Sequence, residues 1–328
     1  MYDVITIGDV MRDIFVFPSI DEMEKPIEKN GENFLIFQHG DKITLDDIHY
    51  DIGGTAGNVA VGLAKLGLKT GIISCIGKDN EGAEILEALK KSKVNVDNLE
   101  ISRQKKTSFS VIISYIGERT ILVFQSFKPE DFNIPTDLAT DWVYIGPLGK
   151  SYRSLYSKVT ALAAEKNAKI ALNPGSVQII DGLASFTGLL RVAKILFVNR
   201  EEGQKLAKIS GVATVRDITR VLLKTGVEMV AVTDGKEGAY VATVDEFFKI
   251  GVYPGTRIEA TGAGDAFAAG FLAANSQGEK LMDCLRWGVV NAAAVIEKVG
   301  AQEGLQNSTT IKRKIRDYNW PAAGLRFS

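Results

Sequence analysis

The chain has 328 residues, 45 % of them hydrophobic and 24 % charged, proportions ordinary for a globular protein. Lys and Arg total 39 against 40 for Asp and Glu, a net charge of −1, so neither a basic excess for nucleic acid nor an acidic excess for disorder is present. Two cysteines, Cys75 and Cys284, cannot form a disulfide framework and lack metal-ligand spacing.

The chain opens on Val4-Ile5-Thr6-Ile7-Gly8, a β-branched run that reads as a buried strand. Its start is unlike a signal peptide, and no stretch approaches the roughly 18 apolar residues of a membrane span. A cytoplasmic setting without a membrane partner is therefore expected. Phe34–Phe37 and Lys42–Ile52 suggest a β excursion before the first helix, Gly57–Leu66. A strand over Thr70–Cys75 and a helix over Glu81–Lys91 follow, then a hairpin, Ser108–Tyr115 with Thr120–Phe124, around Gly117-Glu118-Arg119. The four strands without intervening helices predict a small antiparallel sheet, placed as a lid or a dimer contact.

From Trp142 the strand–helix alternation of a parallel sheet resumes. Strands are expected at Trp142–Ile145, Ile170–Asn173, Ile195–Val198, Met229–Thr233, Ala239–Thr243 and Phe247–Ile250. Helices are expected at Ser154–Lys166, Leu189–Ala193, Glu201–Lys208, Val215–Lys224, Ala263–Ala274 and Leu281–Lys298. Asn307–Tyr318 reads as a surface helix and Pro321–Ser328 as a loose tail.

The most informative stretch is Glu259-Ala260-Thr261-Gly262-Ala263-Gly264-Asp265, just before an apolar helix. Unpaired N–H groups at a helix start, approached closely past glycines, can hold a phosphate or oxyanion. Asp265 in the first turn is placed to accept a proton from a hydroxyl attacking that phosphate. A glycine turn followed by a dipole-favoured Asp explains the same residues without chemistry. The run is neither a dinucleotide fingerprint, because Phe267 stands at the third glycine, nor a P-loop. A second cluster, Gly53-Gly54-Thr55-Ala56-Gly57-Asn58, could let a substrate lie against backbone with Asn58 on a hydroxyl, or could be a plain strand-to-helix turn. Asp9 and Asp13 follow the first strand, at the ligand-binding edge of a parallel sheet, and either could be a solvated loop carboxylate. Asn199 would cap a helix, while Glu202, three residues on, could hold the water shell of a nucleotide-borne Mg²⁺. Thr233 to Gly238 could be a turn or a wall of a nucleotide pocket. With only His39 and His49 in the chain, histidine-based triads and zinc sites are not expected.

Taken together, these stretches resemble the PfkB (ribokinase-like) family of sugar and nucleoside kinases over Asp3 to about Gln302. The signature usually written D-T-x-G-A-G-D stands here at Glu259–Asp265, the glycine signature at Gly53–Ala60, N-x-x-E at Asn199–Glu202 and the nucleotide motif at Val232–Gly238. The resemblance implies a three-layer α/β/α fold with a mostly parallel sheet and a small antiparallel β lid. Residues 1–305 would form the kinase domain, with lid strands from about 12–52 and 105–125, and 306–328 a terminal helix and tail. It implies that Asp265 is the general base and that Gly262, Ala263 and Gly264 form the anion hole. Asn199 and Glu202 would position Mg²⁺, with Glu202 acting through water. Thr233, Gly235, Gly238 and Asn291 would contact ATP, and Asp13, Gly53, Gly54 and Asn58 the acceptor.

Three departures stand out. The position six before the base is usually Asp and is Glu259 here, and Gly304 stands where a serine often occurs; both bear on the monovalent-cation (K⁺) site of many members. The substrate-side Glu of ribokinases is replaced by Gly146-Pro147-Leu148. The expected activity is ATP-dependent phosphorylation of a sugar hydroxymethyl group. The alternatives are a nucleoside kinase, closed by apolar lid residues such as Phe34, Phe37 or Phe109, and a non-catalytic nucleotide or sugar sensor, which would not need Asp265. A homodimer through the lid is compatible with the pattern.

Overall fold

Strands that lack polar alternation need cover on both faces. In the computed structural model, which describes residues 1–19, 26–29, 32–116 and 118–320, such strands form the centre of the molecule. The N-terminal half contributes β1 (Tyr2–Ile7), β2 (Met11–Pro18), β3 (Ile27–Lys29), β4 (Glu32–Phe34), β5 (Leu45–Gly53), α1 (Thr55–Lys65), β6 (Thr70–Gly77), α2 (Asn80–Lys91), β7 (Leu99–Ser102), β8 (Phe109–Tyr115) and β9 (Glu118–Phe124). Next come β10 (Thr140–Ile145), α3 (Tyr152–Lys166), β11 (Lys169–Leu172), α4 (Ser176–Asp181), α5 (Thr187–Leu190), β12 (Ala193–Asn199), α6 (Arg200–Ala207) and α7 (Val215–Leu223). The chain closes with β13 (Met229–Thr233), β14 (Ala239–Ala242), β15 (Phe247–Ile250), α8 (Ala263–Ser276), α9 (Leu281–Val295) and α10 (Ser308–Asp317).

The main sheet has nine strands in the order β15-β14-β13-β12-β11-β10-β1-β6-β7. It is parallel from β7 to β13 and antiparallel at β14 and β15. Side-chain alternation sorts the core into two layers. Ile5, Ile7, Val143 and Ile145 pack with Leu155 and Val159 of α3 and Ile218 and Leu222 of α7. Val4, Trp142 and Tyr144 face the other way, onto Val59 and Leu63 of α1 and the apolar faces of α8 and α9. Helices α8 and α9 pack closely because a Cβ on Gly270 would stand 2.6 Å from the Trp287 carbonyl oxygen. After β1 the chain builds outward through β6 and β7, then returns to β10 on the other side of β1. Such a reversal opens a crevice at the carboxyl ends of the strands, where ligands bind in open α/β sheets.

A second sheet, ordered β5-β2-β8-β9, is the lid. It is mixed rather than antiparallel throughout, because β2 pairs β8 in parallel. The strand β2 also places Asp13 within the lid sheet, opposite Asp51 of β5, and not in a solvated loop. Of the strand expected at Phe34–Phe37, only Phe34 is in a strand, pairing Ile27. The short helix expected at Leu189–Ala193 ends at Leu190, and Ala193 begins β12. The helix expected to reach Lys298 ends at Val295. Helix α10 is the expected surface helix, with Ile311 as its buried anchor. The tail from Pro321, residue 117 of the lid hairpin, and residues 20–25 and 30–31 of the expected lid region lie outside the described residues. No helix among the described residues is long and apolar enough to cross a membrane.

Candidate active site

The main-sheet crevice contains a cleft of about 290 Å³. Its lining includes Pro147 after β10, Asn173 after β11, Asn199 at the end of β12 and Thr233 at the end of β13, with Glu202, Gly264 and Asp265. A larger hollow of about 370 Å³ lies between α7 and the β14–β15 turn, lined by Arg216, Arg220 and Lys224. It contains none of the glycine cradles.

Asp265 is the third residue of α8, and its carboxylate Oδ2 accepts a 2.8 Å hydrogen bond from Asn58 Nδ2. Thr55, at the start of α1, donates to the same carboxylate. Enclosure by protein pushes the Asp265 carboxyl up to about 7, the two hydrogen bonds pull it down, and the nearby charges of Asp13 and Glu202 push it up again. A base poised near neutrality is what proton abstraction from a hydroxyl requires.

The helix start beside it is shaped by Gly262, whose φ of 78° is left-handed and whose Cβ would stand 2.5 Å from that of Ala301. The first N–H groups of α8 have no acceptor within the helix. That of Ala263 turns back to the Ala260 carbonyl at 3.3 Å. Gly264 is exposed toward the cleft, and a Cβ there would meet nothing within 4 Å. The turn ahead is held by Glu259, whose Oε1 accepts from the Ala260 N–H (2.7 Å), the Thr261 N–H (3.0 Å) and Thr261 Oγ1 (2.9 Å).

Across the crevice, Asp13 is buried, and Ser110 Oγ of the lid donates to its Oδ1. Burial pushes its carboxyl up to about 6; the Ser110 bond and Arg12 lower it, and Asp51 raises it. Gly53 lacks a side chain because a Cβ would fall 1.9 Å from Asp13 Oδ2. Gly54, with φ 86°, would strike the Asp9 carbonyl at 2.5 Å. Asp9 accepts from Gln125 Nε2, just past the lid strand β9, and burial pushes its carboxyl up to about 6.

Asn199 and Glu202 form a reciprocal capping box: Asn199 Oδ1 accepts from the Glu202 N–H and Glu202 Oε2 from the Asn199 N–H, both at 2.8 Å. The cap also fixes Glu202 at the cleft wall, where burial raises its carboxyl above the usual range. Among the described residues no group of three or more His, Cys, Asp or Glu could hold a metal ion. Two cleft carboxylates, Glu202 and Asp265, with no third ligand beside them fit Mg²⁺ that arrives on a nucleotide better than a resident ion. Thr233 lines the cleft, while Gly235 (φ 48°) and Gly238 (φ 91°) shape the turn after it.

Two of the expected contact residues have protein partners. Asn58 serves the base: Nδ2 donates to Asp265 and Oδ1 accepts from Gln302 Nε2 at 3.0 Å. Asn291 is fully buried; its Nδ2 donates to the Ala266 carbonyl and its Oδ1 accepts from the Gln306 N–H, so it holds α8 to α9 and the following loop. Sequence reasoning also missed Thr55 and Ser110, which orient the carboxylates, and Gln302, which holds Asn58. Only Thr55 lies in a stretch that carried a signal, the glycine cluster.

A family model described as "pfkB family carbohydrate kinase" matches residues 17–308. The chain belongs to this family. An uncharacterised sugar kinase of Archaeoglobus fulgidus is 27 % identical over 254 residues, 76 % of this chain and 99 % of that protein. A nucleoside kinase of Methanothermobacter thermautotrophicus is 28 % identical over 261 residues, 78 % of this chain and 82 % of that protein. The crystal structure of the Methanocaldococcus jannaschii nucleoside kinase, an archaeal member of the ribokinase family, superposes with a TM-score of 0.78 at 24 % identity, covering 96 % of this chain and 99 % of that one. This pfkB kinase therefore has the ribokinase-like fold, and its relatives include both sugar and nucleoside kinases.

The monovalent-cation site of many family members does not fit the residues present. Glu259 Oε1 is already shared by three protein donors, and the Arg119 guanidinium stands 3.7 Å from it. At Gly304 a Cβ would fall 2.1 Å from the Ala294 carbonyl oxygen, which leaves no room for a serine.

Proposed function

We propose that the protein transfers the γ-phosphoryl group of ATP to a hydroxymethyl group of a sugar. The observation that carries this reading is Asp265: a carboxylate oriented by Asn58 and Thr55, with its pKa at about 7, in the first turn of a glycine-led helix at the cleft. Asp265 takes the proton of the acceptor hydroxyl as its oxygen bonds to the γ-phosphorus and the bond to the ADP oxygen breaks. The N–H groups at Gly262–Gly264 stabilise charge developing on the transferred group. Asn199 and Glu202 hold the water shell of nucleotide-borne Mg²⁺. That ion, when bound, neutralises phosphate charge. Thr233, Gly235 and Gly238 form the nucleotide wall, while Asp13 meets acceptor hydroxyls, with Gly53 and Gly54 giving it room. Closure of the lid excludes water. A non-catalytic sensor would have no use for a base held in this way.

One feature favours a nucleoside acceptor as the second reading. Phe109 and Phe124 stack on the lid with ring centroids 5.3 Å apart and both remain partly exposed, a surface suited to a flat base. ADP release from MgATP across a panel of sugars, sugar phosphates and nucleosides decides between them. Turnover confined to sugars supports the first reading, and turnover confined to nucleosides replaces it with the second.

A further inference from the structure

Among the described residues, an ion pair joins the lid to the anion-hole turn. Arg119 lies on β9, opposite Ser114 of β8, and its NH1 stands 3.7 Å from Glu259 Oε1. The Glu259 side chain is only 8 % exposed. A carboxylate so deeply placed needs compensation. Local N–H and O–H donors of Ala260 and Thr261 provide part of it, and the charge partner comes from the lid. The same oxygen thus serves the lid and fixes the turn that enters Gly262–Gly264. On its other side that turn is pinned by the Ile258 and Glu259 N–H groups, which both donate to the Ile296 carbonyl, and by Gly262 against Ala301.

We infer that Arg119 is a positioning residue: its guanidinium clamps Glu259, stands in for a monovalent cation at a carboxylate oxygen already taken by protein donors, and ties the geometry of the anion hole to the lid. The catalytic part of this inference rests on the proposed phosphoryl transfer. The clamp itself does not, since it is a contact between two side chains of this chain. A planar guanidinium suits the task because it presents several donors and stays charged at every working pH.

The test compares wild type, Arg119→Gln and Arg119→Lys in two measurements. Hydrogen exchange of the backbone amides of residues 259–264, without any ligand, reads the clamp. Steady-state kinetics in K⁺ or choline buffer with the acceptor found in the panel read its consequence. Arg119→Gln should speed exchange in that segment while leaving the α8–α9 amides unchanged. It should lower kcat by about 10- to 100-fold with little change in the KM for ATP, and Arg119→Lys should recover part of both effects. Wild-type kcat should differ by less than about twofold between K⁺ and choline, a change too small to indicate a cation held at the transition state. Unchanged exchange in Arg119→Gln, a normal kcat despite faster exchange, or strong activation of wild type by K⁺ would overturn the inference. If wild type turns over no acceptor, the functional reading fails, and the exchange comparison still decides the clamp.

Discussion

At Gly53 a Cβ would stand 1.9 Å from the Asp13 carboxylate, and at Gly54 2.5 Å from the Asp9 carbonyl oxygen, whereas at Gly264 it would meet nothing within 4 Å. The two glycine-led turns on either side of the cleft therefore lack side chains for different reasons. In the Gly53–Asn58 turn, protein atoms already fill the space, because that turn seats the Asp13 and Asp265 carboxylates. In the Gly262–Asp265 turn, Gly262 is demanded by Ala301, but Gly264 faces open cleft. Open space alone does not single out a glycine, but Gly264 also lines the cleft, and under the proposed function that space takes the transferred phosphoryl group.

Substitutions can break this comparison. The largest effect is expected at Asp265 itself: Asp265→Asn should lower kcat by about 10²–10⁴-fold, the range for losing a general base. The same change should raise the melting temperature above pH 7. Because the folded-state pKa of Asp265 is raised, its ionisation opposes folding: the cost is absent below the unfolded value of 3.8, grows as pH rises, and is complete above about 7. Next comes Gly264→Ala. It should lower kcat by about 10- to 100-fold through crowding of the anion hole while leaving the melting temperature equal or higher, since Ala is the better helix former. Gly53→Ala should behave in the opposite way, lowering stability by about 1–3 kcal/mol and raising the acceptor KM as Asp13 is displaced. Equal thermal effects of Gly53→Ala and Gly264→Ala would collapse the distinction. The mildest probe is pH: log kcat/KM for wild type should fall with a slope approaching one as pH drops below about 7, where Asp265 takes up its proton. A profile flat to pH 5 would contradict the assignment.

How much of this was legible in the sequence depended on range. The strand–helix order, the glycine turns and Asp265 are local signals, and the structure places Asp265, Gly264, Glu202 and Thr233 around one cleft. For Asp13 a solvated loop stayed open as an alternative because Met11–Pro18 mixes charged and apolar residues and becomes a strand only through its partners β5 and β8. The protein partners of Asn58 and Asn291 were hidden for a related reason. Asn58 was read from its place after a glycine motif and Asn291 from the family resemblance, and neither signal carries the hydrogen bonds that packing of α1, α8 and α9 gives these side chains. The Arg119–Glu259, Gln125–Asp9 and Ser110–Asp13 contacts join residues about a hundred or more positions apart, and no spacing rule announces them.

The central claim is that Asp265 is the base of an ATP-dependent phosphoryl transfer. Its most direct test is ADP release from MgATP at pH 8 with the acceptor the panel identifies, measured for wild type and Asp265→Asn, with nucleotide binding followed alongside. Turnover lost in a variant that still binds ATP is the predicted result. A variant that turns over at close to the wild-type rate would contradict the account.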